Sequence, residues 1–277
     1  MPAAQPEPSA RWHPSVLLQA SVLLHGLAIV ALIVAPGLWR WALSALLANH
    51  VLLGLVGVWP RSRWLGPNCT RLPASAIAKK QITISIDDGP DPLVTPQVLD
   101  ILDRYAVHVT FFCIGEKAAR HPELCREMVR RGHTVENHTQ HHRHSFALLG
   151  MTRLRREIHS AQETLTGITG YRPQFFRAPA GVRSPFLDPV LAQLGLRLVA
   201  WTRRGFDTRT TDPAIVSRRL MRSLQPGAIL LLHDGNSARA SSSVPVIVAV
   251  LPALLEAAAV AGLRPVTLSA ALAGDAA

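Results

Sequence analysis

The chain has 277 residues, enough for one large domain with an appendage or for two small domains. Hydrophobic residues make up 48% and charged residues 17%, which is more apolar than an ordinary soluble enzyme. The net charge of +11 suits an anionic leaflet or a phosphorylated lipid substrate, and no zinc-finger spacing, RNA-binding signature or long Lys/Arg tract supports nucleic acid as a partner.

The apolar excess lies at the N-terminus. Ser15 to Leu38 and Trp41 to Pro60 contain no Asp, Glu, Lys or Arg, and each stretch is long enough to cross a hydrocarbon core as a helix. Pro36-Gly37 and Arg40 separate them, so residues 1–60 read as a transmembrane hairpin of two helices. A signal peptide fits poorly, because Pro36-Gly37-Leu38-Trp39 is a weak cleavage site and a second apolar stretch follows at once. Gln19, His25, Asn49 and His50 leave a buried soluble hairpin as the competing reading. Arg61, Arg63, Arg71, Lys79 and Lys80 follow the second stretch, against Arg40 in the turn and Arg11 before the first. The positive-inside rule therefore puts the rest of the chain in the cytoplasm, as a multi-pass protein of the bacterial inner membrane.

Residues 61–80 read as a polar, proline-containing linker. A domain spanning 81–277 follows. "QITISID" has the β-branched alternation of a strand and leads through "DGPDP" into a helix over 95–105. "VHVTFFCIG", "HTVEN", "PQFFRAP", "LRLVAWT", "AILLLHD" and "RPVTLS" continue the strands. Helical runs over 116–131, 148–168, 185–194, 213–224 and 244–261 lie between them. Strands alternating with helices argue for a parallel sheet, and the number of units favours a distorted (β/α)7 barrel, closed or nearly so, over an open sheet. Reactive residues of such a barrel belong at the C-terminal ends of its strands. Asp87-Asp88, His138, Arg177, Asp207 and His233-Asp234 all stand there.

"VENHTQHHRHSF" holds four of the chain's twelve histidines and reads as a metal site, with His138, His141, His142 and His144 as candidates. Cys69, Cys113 and Cys125 are too scattered to form a metal knuckle or a disulfide framework.

"SIDDGP", "HTQHH" and "LLLHDG", in that order, resemble the polysaccharide deacetylase family, the carbohydrate esterases with a NodB-like fold. The resemblance runs from about Gln81 to Leu268. It implies a metal-dependent hydrolase of linear amide bonds that removes an acetyl or formyl group from an amino sugar. The family's H-[ST]-x-x-H motif selects His138 and His142, one helical turn apart, with Asp88 as the carboxylate ligand. Two imidazoles and one carboxylate leave coordination positions open, as a catalytic divalent metal requires, with zinc the default. His141 and His144 then fall to the rim. Asp87 would be the general base, His233 would protonate the departing amine, and a backbone N–H near Ala180 would hold the developing oxyanion. Leu231 would line the pocket for the acyl methyl group, Arg177 would keep Asp87 ionised, and Asp207 would orient Arg177.

Where relatives acting on polymers carry R-x-P-Y-G, this chain has Arg177-Ala178-Pro179-Ala180-Gly181, so an aromatic lining residue is lost and Arg183 appears nearby. Only 5% of the residues are aromatic, which argues against a polymer gripped by stacked rings. A single amino sugar on a polyprenyl phosphate fits better, with Arg183, Arg203 or Arg204 near the phosphate, as in the lipid-linked sugar deformylases that this chain resembles distantly. The expected partners are the membrane and an amino-sugar glycan or glycolipid, with no protein partner and no nucleic acid. A catalytically silent glycolipid-binding protein would be expected to lack a ligand, whereas an esterase or amidase of a non-sugar substrate would share every residue named.

Overall fold

The computed structural model describes residues 12–273, so Arg11 lies outside the described residues. Helix α1 (Val16–Val34) and helix α2 (Trp39–Gly57) flank a 3-10 turn at Pro36–Leu38 and form a hairpin. Its polar residues are satisfied locally. Asn49 Nδ2 donates to Ser21 Oγ at 2.8 Å across the helix pair, and the Nδ1 atoms of His25 and His50 donate to the carbonyls four residues earlier. The outer faces remain bare: Val22 is 73% exposed and Ile33 75%. This chain's own packing therefore does not bury the hairpin's outer faces. Both helices are long and apolar enough to cross a membrane.

Residues 61–80 are not the loose linker that their composition suggests. Leu65 and Leu72 are buried, and helix α3 (Ala74–Ala78) buries Ala76. Backbone bonds join Leu72 N–H to Gly227 O (2.8 Å) and Cys69 N–H to Leu198 O (2.9 Å). The segment therefore belongs to the catalytic domain.

The strands are β1 (Gln81–Asp87), β2 (Thr110–Cys113), β3 (Thr134–Asn137), β4 (Phe175–Phe176), β5 (Arg197–Leu198), β6 (Arg203–Arg204), β7 (Ile229–His233) and β8 (Arg264–Pro265). The helices between and after them are α4 (Thr95–Arg104), α5 (Gly115–Arg120), α6 (Pro122–Arg130), α7 (Met151–Thr169), α8 (Leu187–Leu194), α9 (Pro213–Met221), α10 (Val246–Val260) and α11 (Leu268–Leu272). All the strand pairs are parallel, in the order β5-β4-β3-β2-β1-β7-β6, with β8 beside the start of β1. The expected strands include β8, read at "RPVTLS", and the eighth that the sequence did not announce is β6. The two ends of the strand order, β5 and β6, are neighbours in the chain, and Cys69 bridges the seam by pairing with Val199. The result is a curled, incompletely closed barrel.

Alternation along β1 decides what faces where. Ile82, Ile84 and Ile86 point to the outer core, which they share with Leu230 and Leu232 of β7 and with residues of α4 and α10. Thr83, Ser85 and Asp87 occupy the other face, the barrel interior, and are buried there. On β7 the same rule sends Leu231 and His233 inward.

Candidate active site

Asp87 ends β1, and its register partner on β7 is His233, so the parallel pairing brings a carboxylate and an imidazole side by side. Asp88 would point the opposite way in a continued strand. Its φ of 71° breaks the alternation, as the "DGPDP" turn predicts, and turns the second carboxylate to the same place.

His138 and His142 reach Asp88 by a different route from the helical turn expected. The segment is a loop in which Thr139 and His142 both have positive φ, 69° and 49°. Side chains hold this strained backbone: Asn137 Oδ1 accepts from Thr139 N–H and Thr139 Oγ1 accepts from His142 N–H, each at 2.9 Å. A helix would require αR throughout, and the loop instead folds the two imidazoles over one carboxylate. Their Nε2 atoms each lie 3.2 Å from Asp88 Oδ1, and the rings are 4.8 Å apart.

This trio fits a divalent metal. One donor atom from each of Asp88, His138 and His142 lies within 4.8 Å of the others. Asp88 Oδ1 is buried and has no hydrogen-bond donor among the described residues, an arrangement that a cation would satisfy. His138 Nδ1 donates to Arg177 O at 2.8 Å, which leaves the Nε2 lone pair for a ligand bond. Burial pushes the His142 imidazole down to about 4, so it is neutral, as a ligand must be. Burial alone would raise the Asp88 carboxyl, but His138, His233 and His142 outweigh it and hold the group well below the usual carboxylate range. His141 faces outward and bonds Glu157 at 2.8 Å, and His144 is exposed, so both fall to the rim as expected.

Arg177 is fully enclosed, and its guanidinium is bound on every side. It donates to Asp87 Oδ1 (2.6 Å), Ser85 Oγ (2.8 Å), Val199 O (3.2 Å) and Ala200 O (2.9 Å), and it lies 4.1 Å from the centre of the Phe112 ring. Asp207, expected to orient Arg177, does something else. Its Oδ1 lies 2.9 Å from His233 Nδ1, and its Oδ2 accepts from the His233 backbone N–H at 2.7 Å. The β5 end carbonyls take the arginine donors that Asp207 was expected to occupy. Burial pushes the His233 imidazole down, yet Asp207, with Asp87 and Asp88, more than offsets this, and the net shift is upward. Asp207 thereby favours the protonated form of His233.

Ala180 sits exposed in the Pro179–Gly181 turn with φ 53°, three residues after Arg177. Leu231 packs with Ala200 and Trp201 in a small buried cluster. Arg203 donates to Ser223 Oγ, away from the centre, and Arg183 is buried at the hairpin junction, where it bonds Ser62 O. Arg204 stays close. It lies 5.4 Å from the Trp201 ring and 4.6 Å from the Phe206 ring, within the fields of Asp87 and Asp207. The clustering of Trp201, Arg204 and Phe206 in "WTRRGF" carried this signal, but the sequence reading did not single out the two rings.

A family described as "Polysaccharide deacetylase" matches residues 75–199. A chitooligosaccharide deacetylase of Sinorhizobium fredii is 36% identical over 166 residues, covering 59% of this chain and 76% of the relative. A peptidoglycan-N-acetylglucosamine deacetylase of Bacillus cereus is 32% identical over 178 residues, covering 64% and 82%. Among solved structures, a family 4 carbohydrate esterase from Streptomyces lividans in complex with acetate superposes with a TM-score of 0.60 at 29% identity, covering 67% of this chain and 91% of that one. With the curled parallel sheet and the convergence of Asp87, Asp88, His138, His142 and His233, these likenesses lead to one conclusion: the chain belongs to the polysaccharide deacetylase family.

Proposed function

We propose that the protein is a membrane-anchored, metal-dependent hydrolase that removes an N-acyl group, acetyl or formyl, from the amino sugar of a lipid-linked or cell-envelope glycan. One observation carries the reading. The orphaned Asp88 Oδ1 stands between two imidazole Nε2 atoms, and the neighbouring Asp87 is gripped by a buried arginine. The relatives deacetylate chitooligosaccharide and peptidoglycan, which supports an N-acetylated amino sugar as the substrate class.

Asp88, His138 and His142 would hold the divalent cation, zinc by default, which supplies Lewis-acid activation of the acyl carbonyl and of the attacking water. Asp87 takes a proton from that water. Arg177 fixes the Asp87 carboxylate by occupying Oδ1, so Oδ2 is the atom left for the proton. The Ala180 N–H offers a hydrogen bond to the acyl oxygen as charge develops there. His233, whose protonated form Asp207 favours, delivers a proton to the nitrogen as the C–N bond breaks. The products are a free amine and a carboxylic acid. Leu231 and Trp201 bound the space for the acyl methyl group.

The bare outer faces of α1 and α2 support anchoring. Arg183 N–H donates to Gly57 O at 3.1 Å, and Trp12 Nε1 donates to Asp188 Oδ2 at 2.7 Å, so both ends of the hairpin are docked on the domain. A cleaved leader would have no use for such docking. The positive charges after α2 favour a cytoplasmic domain on the inner membrane.

The test uses the full chain in mild detergent and measures acyl release from N-acetylglucosamine oligomers and from an N-acylated amino sugar on a polyprenyl phosphate. Asp87→Asn should lower kcat about 10²–10⁴-fold. Equal release by wild type and variant would refute the reading.

A further inference from the structure

A groove of about 1300 Å³ runs between the hairpin and the catalytic domain. Leu18, Val22 and Leu53 wall it on the hairpin side, and Val182, Pro185 and Phe186 wall it on the domain side.

What covers this groove follows from its surroundings. The helix faces beside it are apolar and exposed, as at Val22 and at Leu23 (63%), and both helices are long enough to cross a membrane. The medium at its mouth is therefore hydrocarbon, and an apolar chain reaches it without passing through water. Arg183 gives the groove a polar end. The residue lines the groove, is 4% exposed, and spends one guanidinium nitrogen on Ser62 O, while its Nε has no partner among the described residues. A buried cation with an unmade hydrogen bond suits an anionic oxygen.

The groove also lies next to the catalytic centre. Residues 182–186 follow directly on the turn that holds Ala180, and a Cβ on Gly181 would overlap both the Trp201 ring and Pro60. The Trp201 ring centre is 6.0 Å from the Arg177 guanidinium that grips Asp87. A single layer of side chains thus separates the hairpin junction from the reacting residues.

We propose that the groove binds the apolar chain of a long-chain phosphate ester, with the phosphate at Arg183, so that an amino sugar carried on that phosphate reaches the Asp87–Asp88 centre. The sugar end rests on the deacylase reading above, and the chain end is tested by binding alone.

The experiment is native mass spectrometry of the full chain in detergent, with farnesyl phosphate and farnesol as probes and phosphatidylglycerol as competitor. Gly54 lines the groove, and a Cβ there meets nothing within 4 Å, so Gly54→Leu fills space without displacing protein atoms. Wild type should bind farnesyl phosphate at least about tenfold more tightly than farnesol, the contribution of a charged hydrogen bond. Arg183→Gln should erase that preference, and Gly54→Leu should weaken both probes about tenfold. Gly54→Leu keeps the proposal refutable should Arg183→Gln fail to fold. Unchanged binding in Gly54→Leu, displacement by phosphatidylglycerol at equal concentration, or a dimer that excludes both probes would overturn it. A protein that binds farnesyl phosphate yet deacylates no amino sugar would leave the groove standing and remove the deacylase reading.

Discussion

Asp207→Asn isolates the charge that favours protonation of His233. Asp207 Oδ1 lies 2.9 Å from His233 Nδ1, and the two side chains are 0% and 8% exposed, so water screens the pair little. A charge-assisted hydrogen bond of this kind contributes about 1.5–3 kcal/mol. Neutralising Asp207 removes that contribution and should lower the His233 pKa. Burial, which already pushes this imidazole down, then acts with less opposition. An acid must be protonated to donate, so activity is lost as pH rises through its pKa, and a lower pKa moves that loss to lower pH. The assay is kcat for acyl release between about pH 5 and 10. In the variant the basic limb should lie at lower pH than in wild type. A basic limb that stays in place while kcat drops uniformly would refute the role given to Asp207.

His142→Ala should weaken metal affinity by at least about 100-fold, whereas His141→Ala, which loses only the Glu157 bond at the rim, should change it less than twofold, both read by competition with a metallochromic chelator. Burial pushes Glu136 on β3 up to about 8 from its usual 4.5, against the opposing hydrogen bonds that the Gln174 and Phe175 N–H groups give its Oε2, and its Oε1 has no partner among the described residues. It is neutral when folded and ionised when unfolded, so its contribution to stability is complete below about pH 4.5 and declines up to about pH 8. Glu136→Gln escapes that decline, and its melting temperature should exceed that of wild type by a margin that widens from pH 5 to 8, reaching several degrees. A Cβ on Gly57 would collide with the Arg183 carbonyl and break the 3.1 Å bond from Arg183 N–H to Gly57 O. Gly57→Leu should therefore loosen the hairpin junction at a cost of about 1–3 kcal/mol, visible as faster proteolysis after Arg61 and Arg63.

Much of the centre could be read from the chain because strand-end positions in a parallel barrel converge, and "SIDDGP", "HTQHH" and "LLLHDG" each end or follow a strand. The strong strands β1 and β7 were plain from their β-branched and leucine runs. The short strands β4 and β5 fall within "PQFFRAP" and "LRLVAWT", whereas the two-residue β6 was not legible, since so short a stretch has no period to read. The spacing from His138 to His142 suggested a helix because it equals one helical turn. The loop makes the same convergence with two left-handed residues, which side-chain hydrogen bonds stabilise and propensity does not announce. Asp207 was placed beyond its strand correctly but given the wrong partner, because the choice depends on which donors Val199 O and Ala200 O had already taken. The packing of residues 61–80 was hidden for a similar reason. Its order comes from backbone bonds to Leu198 and Gly227, far along the chain.

The most direct test is elemental analysis of the purified full chain together with acyl release. The account predicts one divalent ion per chain in wild type, with ion and activity both lost in Asp88→Ala and both removed by chelation. A metal-free wild type that releases the acyl group at full rate would contradict it.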